Sequence, residues 1–198
     1  MAKFAIIAVD YEKHVPRNGM VEGIKSLANQ TYKDFELIIC HDGPKEIPYD
    51  HEINFNELGL SPHILNTESK NADWGHSSRD LAMKYAYENL PDCDYYIQFN
   101  IDNLFNENAF QVINDKISET LSQVVIFSIF HNKLGWVVQG IPPVHCNIDC
   151  MQLVAHRDVW SNIGFWYDKD MMSDGTLYQE IGSKYSYVHI PEVLGHNF

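Results

Sequence analysis

Basic residues are scarce in this chain: 14 Lys and Arg stand against 27 Asp and Glu in 198 residues, a formal net charge of −13. Nucleic-acid phosphates are held by a Lys/Arg surplus, so nucleic acid is excluded as a bulk partner. Anionic membrane surfaces are disfavoured for the same reason. Long apolar runs are missing too. Phe4–Val9 stops at Asp10, and Val124–Phe130 is interrupted by Ser128. Neither reaches the length of a signal-peptide core or a membrane span, so the expectation is a soluble, cytoplasmic chain. Cysteine is sparse: Cys40, Cys93, Cys146 and Cys150 do not make a disulfide framework in a chain of this size. Cys40 and Cys93 lie in or beside strand-like runs and read as buried thiols. Cys146 and Cys150, with His145 adjacent, are half of a zinc site, and no second Cys/His pair at ligand spacing completes it. Repeats, low-complexity tracts and Pro/Gly/Ser linkers are all absent.

What is present is globular. A hydrophobic fraction of 45% with 21% charged residues argues against disorder, and the 13% aromatic content argues for a filled interior or a stacking site. The length suits one domain spanning 1–198. Phe4–Val9 reads as a strand buried on both faces. Val21, Ile24, Leu27 and Ala28 recur at helical spacing, and FELIIC at Phe35–Cys40 is a second strand closed by the turn His41-Asp42-Gly43-Pro44. His63–Leu65 is a short third strand. Ser77 or Ser78 is the expected cap of a helix through Leu81, Ala82, Tyr85 and Ala86. Asp94–Phe99 is a strand, Phe110, Ile113 and Ile117 mark a helix face, and Val124–Phe130 is a further strand. Residues 131–150 read as loop or irregular strand. Helical pieces near 156–163 and 174–183 and a strand at Tyr185–Val188 follow. This alternation predicts an α/β fold: an open, mostly parallel, Rossmann-like sheet with helices on both faces. Ligands of such sheets bind beyond the carboxyl ends of the strands.

Those ends carry Asp10-Tyr11, His41-Asp42-Gly43 and Asn100-Ile101-Asp102-Asn103. Three strands thus deliver carboxylates to one sheet edge. Such a cluster repels itself unless a cation or donor groups balance it. Hard oxygen ligands suit Mg²⁺ or Mn²⁺.

The strand at Phe4–Tyr11 followed by SLANQTYKDFELIICHDGP (Ser26–Pro44) resembles the opening of the GT-A glycosyltransferases, in particular the large inverting group called family two. NADWGHSSRDLAMKYA (Asn71–Ala86), DYYIQFNIDN (Asp94–Asn103) and YDKDMMSDGTLY (Tyr167–Tyr178) are similar to later motifs of that family, in the right order. The resemblance is strongest over 4–103. It implies a GT-A fold with a nucleotide-sugar-binding half at 1–103 and an acceptor-side half at 104–198. The implied activity is inverting transfer of a hexose from a UDP-sugar to a hydroxyl acceptor, a small glycan or other alcohol, using Mn²⁺ or Mg²⁺.

The resemblance also assigns residues. Asp42 matches the uracil-reading Asp, whose carboxylate accepts the N3–H that cytosine lacks. Asp10 and Tyr11 sit where the nucleoside is contacted, and Arg79 matches a donor-site Arg near a helix N-terminus that favours anionic oxygen. The usual D-x-D reads Asn100-Ile101-Asp102: Asp102 keeps the metal position, and Asn100 replaces a carboxylate but still serves ribose hydroxyls. His196 matches the C-terminal His of the metal shell. The usual E-D pair reads Ser173-Asp174, which keeps Asp174 as general base; Asp174 also reads as a helix N-cap. Trp74, Trp136, Trp160 and Trp166, with Tyr167 nearby, read as core or rim; the alternative for Trp136 and Trp166, which flank acceptor-side segments, is a face for a pyranose. His145, Asn147 and Asp149 fall in a loop suited to acceptor or donor-sugar contacts. The Asn100 and Ser173 departures leave open an inactive nucleotide- or glycan-binding module. A sugar-nucleotide nucleotidyltransferase is disfavoured, because Asp10-Tyr11-Glu12-Lys13 lacks a Gly- and basic-rich loop.

Overall fold

The computed structural model describes residues 1–10, 17–71, 73–168 and 170–197. The elements run β1 (Phe4–Asp10), α1 (Arg17–Ala28), β2 (Phe35–His41), β3 (His63–Asn66), α2 (His76–Asn89), β4 (Tyr95–Asn100), β5 (Leu104–Phe105), α3 (Ala109–Thr120), β6 (Val124–His131), β7 (Trp136–Val138), β8 (Leu153–His156), α4 (Arg157–Ile163), α5 (Ser173–Lys184) and β9 (Val188–Asn197). They form one nine-stranded sheet in the order β3-β2-β1-β4-β8-β6-β9-β5, with β7 added onto β6.

Every side chain of β1 is buried, and the period of two sends alternate residues to opposite cores. Phe4, Ile6 and Ala8 join Met20, Ile24 and Leu27 of α1 and Phe110, Ile113 and Ile117 of α3. Ala5 and Ile7 join Ala82, Met83 and Ala86 of α2, with Trp160 of α4 and Leu177, Tyr178 and Ile181 of α5. Helices therefore cover both faces. Pairing from β3 through β4 is entirely parallel, whereas β8 runs antiparallel to β4 and β6, and β5 antiparallel to β9. β6 and β9 pair in parallel. Parallel ladders still hold most of the register.

The differences from sequence expectation have local causes. β8 and β5 are short and carry little periodicity. The last strand is Val188–Asn197 and not Tyr185–Val188, because Pro191 and Glu192 mask it, and both are exposed where the β6–β9 register shifts. α2 begins at His76 behind Gly75 (φ 80°), so neither Ser77 nor Ser78 is its cap. Asp73 Oδ2 instead accepts from Ser77 N at 2.9 Å and Ser77 Oγ at 2.5 Å.

The Q-T-Y motif proves to be a clamp. Gln30, 1% exposed, donates from Nε2 to Ser26 O (3.0 Å) and Asn106 O (2.8 Å) and accepts from Phe110 N (3.1 Å). One carboxamide thus serves the end of α1, the β5 loop and the start of α3. Asn106 in turn donates to Leu194 O and Val193 O of β9. Two glycines finish the α1 contact. A Cβ at Gly23 would lie 2.0 Å from Ile101 O, and one at Gly19 would lie 3.1 Å from Asp102 Cβ. α1 can therefore rest directly on the segment that presents Asp102.

Candidate active site

The topology decides which residues meet. β6 is antiparallel to β8, which is antiparallel to β4, so β6 points the same way as β4, and β9 follows β6. The carboxyl ends of β1, β2, β4, β6 and β9 share one edge with the start of β8 and the N-termini of α2 and α5. That edge collects Asp10, Asp42, Asn100, Asp102, His131, Asp149, Asp174, His196 and Asn197. The chain order reverses between β1 and β4, so a crevice opens beyond their ends.

At the β1/β2 side, Asp42 is nearly buried and its Oδ1 accepts from Asn71 N (3.0 Å), Asn71 Nδ2 (3.3 Å) and Thr67 Oγ1 (3.4 Å). Gly43, at φ 90°, donates its N–H to Thr67 Oγ1 at 2.6 Å and makes the turn. Asp10 is fully buried: Tyr49 donates to its Oδ2 at 2.8 Å, and Lys45 Nζ stands 4.0 Å away while pairing with Glu52 at 2.8 Å. Tyr11 lies outside the described residues.

Arg79 is the hub of the other side. It is 2% exposed, donates from NH1 to Trp74 O at 3.0 Å and from NH2 to Asn100 Oδ1, and lies 5.2 Å from the Trp166 ring centroid. Asp149 Oδ1 accepts from Met151 N at 3.1 Å, and its Oδ2 accepts from Asn197 Nδ2. Burial pushes the Asp149 carboxyl up, against the pull of the Met151 hydrogen bond, His131, Asn197 and Arg79. Burial likewise raises Asp174, and the Asp149 charge adds to it, while the Gly175 hydrogen bond and Arg79 draw it down. Asp102 is raised by burial, against a backbone hydrogen bond and Lys133, with Asp10 and Asp149 adding smaller repulsions. The edge is thus a set of carboxylates short of positive charge.

Asp174 stands inside the first turn of α5 rather than at its cap, which is Met172, and its Oδ1 accepts from Gly175 N at 2.8 Å. Ser173 faces inward: it is fully buried, Trp166 Nε1 donates to its Oγ at 2.9 Å, and His76 approaches it to 3.1 Å. Trp166 is a core residue, stacked against His76 (5.7 Å) and Trp160 (6.1 Å), so it has no face to give a sugar. Trp160 is core as well, whereas Trp136 (58%) and Trp74 (48%) are exposed. Of the loop residues, Asp149 enters the cluster. His145 lies against α5, its Nε2 3.1 Å from Thr176 Oγ1, where a Cβ at Gly175 would meet it at 2.9 Å. Asn147 closes its own loop onto Pro142 O at 2.8 Å.

The cysteines are all free; Cys40, Cys93 and Cys150 are buried and Cys146 is exposed. Burial pushes Cys40 and Cys150 up to about 12 and Cys93 to about 11, which makes them poor thiolates. The site residues that sequence reasoning missed are His131, Asn197 and His76. The four-residue spacing of Gly19 and Gly23 was the available sign that a helix presses on the Asp102 loop.

His196 faces Leu104 across the β5–β9 ladder, two residues beyond Asp102, with its ring 6.0 Å from Phe130. Among the described residues, no group of three or more His, Cys, Asp or Glu side chains is placed to hold a metal. The edge nevertheless offers oxygen and imidazole donors of the kind a divalent ion takes. No described helix is long and apolar enough to cross a membrane.

No protein-family model matches the chain. It is 26% identical over 177 residues to the UDP-Glc:alpha-D-GlcNAc-diphosphoundecaprenol beta-1,3-glucosyltransferase WfaP of Escherichia coli, over 81% of this chain and 64% of that protein. The crystal structure of S. aureus TarS 1-349 superposes with a TM-score of 0.76 at 14% identity, over 98% of this chain and 60% of that one; it is also known in complex with UDP-GlcNAc (TM-score 0.74, 13% identity, 98% and 58%). The mannosyltransferase PcManGT of Pyrobaculum calidifontis, in complex with GDP-Man and Mn²⁺, gives 0.72 at 10% identity, over 98% of this chain and 56% of that one. The chain thus spans less than two thirds of each of these proteins. Its fold is that of the GT-A glycosyltransferases.

Proposed function

We propose that this chain is a glycosyltransferase domain that moves a hexose from a UDP-sugar to a hydroxyl acceptor with inversion, residues 1–103 holding the nucleotide sugar and 104–198 the acceptor. The observation that carries this reading is the single sheet edge that bears Asp42, Asn100, Asp102, Asp174 and His196, with a buried Arg79 bonded to Asn100 and acting on Asp174.

Asp42, fixed by Asn71 and Thr67, accepts the uracil N3–H. Tyr11 contacts the nucleoside, and Asp10 acts from behind by holding Tyr49 and Lys45 in place. Asn100, oriented by Arg79, addresses a ribose hydroxyl. The guanidinium, itself buried, offsets diphosphate charge at low local dielectric. Asp102 and His196 hold Mn²⁺ or Mg²⁺, which when bound neutralises charge on the departing nucleotide. Asp174 takes the proton of the acceptor hydroxyl; its burial makes it a stronger base than an exposed carboxylate. Direct attack from the face opposite the diphosphate leaves the anomeric centre inverted.

The names of the similar proteins support the donor class: WfaP uses UDP-Glc by its description, and TarS is known with UDP-GlcNAc. UDP-glucose is therefore the first donor to try. Incubation with a panel of UDP-sugars and Mn²⁺ is expected to give slow donor hydrolysis that chelation abolishes. Absence of both binding and hydrolysis across the panel sinks the reading. One observation favours a non-catalytic module: the Asn100 carboxamide is bonded to Arg79 and Ser173 is buried beneath Trp166, so both departures serve the scaffold. Tight UDP binding without turnover, unchanged in Asp174→Ala, decides for that module.

A further inference from the structure

Met172 stands at the N-cap of α5 and lends it no side-chain hydrogen bond. Along the helix that follows, Asp174, Leu177, Tyr178 and Ile181 fall at i, i+3, i+4 and i+7, a spacing that sets four side chains on one face. Leu177, Tyr178 and Ile181 are fully buried in the core beneath α2 and α4. Asp174 is therefore the N-terminal member of a core stripe. Where its carboxyl points depends on how that stripe is seated.

Tyr178 is the polar member of the buried three. Its ring meets Trp160 and Trp166 edge-on, with centroids 6.2 and 6.0 Å away. Helical side chains lean toward the N-terminus, so the phenol reaches back along the turn that carries Asp174, and its hydroxyl donates to Cys150 O. Cys150 opens a 3-10 turn, Cys150–Gln152, whose N-cap is Asp149, the carboxylate whose charge adds to the raising of Asp174. That turn is anchored on three strands. Asp149 N donates to Gln152 Oε1 at 2.8 Å, Gln152 Nε2 donates to Phe127 O of β6 at 2.8 Å and Val138 O of β7 at 2.9 Å, and Asn197 of β9 donates to Asp149. One hydroxyl thus joins the helix of one carboxylate to the anchored turn of the other. Burial, with Cys150 and Asp174 adding to it, raises the phenol well above its ordinary value, so it keeps its proton and stays a donor.

Other contacts of the first turn set how deep it lies. Trp166 Nε1 donates to Ser173 Oγ at 2.9 Å, and Gly175 is so close to His145 that a Cβ there would stand 2.9 Å from its Cα. Neither reaches residues 149–152; among the described residues, the hydrogen bond from Tyr178 is the one that joins α5 to them. We propose that Tyr178 is a positioning residue for Asp174: its hydroxyl, held on Cys150 O, fixes the rotation of α5 and with it the spacing of the Asp149 and Asp174 carboxyls. Buried in the core, it acts through Asp174 and not on a substrate. The inference rests on the transferase reading for the task of Asp174 and adds to it the residue that aims the base.

Tyr178→Phe removes the hydroxyl and keeps the ring contacts. Carbon-13 NMR of the whole chain labelled at the Asp carboxyls follows Asp174 without donor, metal or turnover, and the resonance lost in Asp174→Asn assigns it. The groups that act on Asp174 are Asp149, Arg79, Cys150, Tyr178 and the Gly175 N–H. Arg79 is held separately by Trp74 O and Asn100, so its pull remains when the Tyr178 bond is cut, while burial and the nearness of Asp149 both lessen. The Asp174 midpoint is therefore expected to fall in Tyr178→Phe by about one pH unit, a tenfold loss of proton affinity. Leu177→Val loosens the same face with the hydroxyl bond intact and is expected to leave the midpoint in place. In donor turnover, Tyr178→Phe is expected to lower kcat about tenfold with the donor KM within twofold, and to have no effect in the Asp174→Asn background. An unmoved midpoint, an equal shift in Leu177→Val, the same kcat loss in the Asp174→Asn background, or a variant that no longer folds by circular dichroism overturns the assignment and makes the hydroxyl a general structural prop. A lowered midpoint with Asp174→Asn turning over like the wild type keeps Tyr178 as the positioning residue of Asp174 and overturns Asp174 as the base.

Discussion

The two halves of this sheet are built by different rules. From β3 to β4 every ladder is parallel, each of β1, β2 and β4 runs toward the same edge, and Asp10, Asp42, Asn100 and Asp102 stand at or just past the ends of their strands. From β8 to β5 the pairing is mixed, and the site residues arrive by tertiary routes: Asp149 before an antiparallel strand, Asn197 from the end of β9, Asp174 from the first turn of α5. The first half offers positions that any ligand-binding α/β sheet offers. The second half sets protonation, because Asp149 adds to the raising of Asp174 by burial and both feel the influence of Arg79. Under the proposed function, recognition belongs to the first half and proton transfer to the second.

The sharpest way to break that division is Asp174→Asn, which removes the base and keeps the shape. Transfer is expected to fall about 10³-fold in kcat, in the range of a lost general base, while UDP affinity by calorimetry stays within twofold. Loss of UDP binding as well would erase the boundary between the halves. In the wild type, burial raises Asp174, and a base works deprotonated, so the acid limb of kcat is expected at higher pH than an ordinary carboxylate gives.

Next is Gln30→Ala, in the part of the motif most like the resembled family. It leaves the Ser26 and Asn106 carbonyls and the Phe110 amide without their partner, costing about 2–4 kcal/mol in denaturant unfolding. The donor base preference is expected to stay as it was. Smaller again, Asp42→Ala is expected to cut the preference for UDP over CDP about tenfold, on the scale of one charged hydrogen bond, with little change in the acid limb.

The smallest effect runs the other way. Burial and neighbouring carboxylates raise Asp102 in the folded chain, so its folded state holds the proton more tightly than the unfolded one. Its contribution to stability therefore falls as pH rises through its folded pKa, and at neutral pH it is a cost. Asp102→Asn is expected to gain about 0.5 kcal/mol at pH 7 and nothing at pH 3, while divalent-ion binding by calorimetry is lost. A destabilised Asp102→Asn at pH 7 would mean that the carboxylate is already well balanced by the protein.

How much could be read in advance follows the same line. Phe4–Val9, FELIIC and DYYIQF are strands because continuous apolar runs this short fit only a sheet covered on both faces, and Asp10, Asp42 and Asp102 follow from where those runs end. The helices around Ile24, Ala82 and Ile113 were legible by period. β8 was not, since LVAH is four residues with no alternation, and β9 was hidden by Pro191 and Gly195. Asp149 was legible only as a loop residue, because its partners Asn197 and Arg79 are remote in sequence and no local pattern encodes such a meeting. Trp166 left core and sugar-facing readings open in sequence, and Ser173 and His76 give its indole N–H and ring a place inside.

The position of β9 has a consequence for how the protein comes into being. It follows every other described strand in sequence, yet it lies in the interior of the sheet, between β6 and β5. Asn106 waits for it across 87 residues, and the Asp149 carboxylate waits for Asn197 across 48. Contacts so distant along the chain are entropically expensive to close. During synthesis the parallel half can condense on the ribosome, but the edge bearing Asp102 and Asp149 stays unfinished until residues 188–197 have emerged. A chain cut short before residue 188 is therefore expected to have its first recognition residues in place and that edge unfinished.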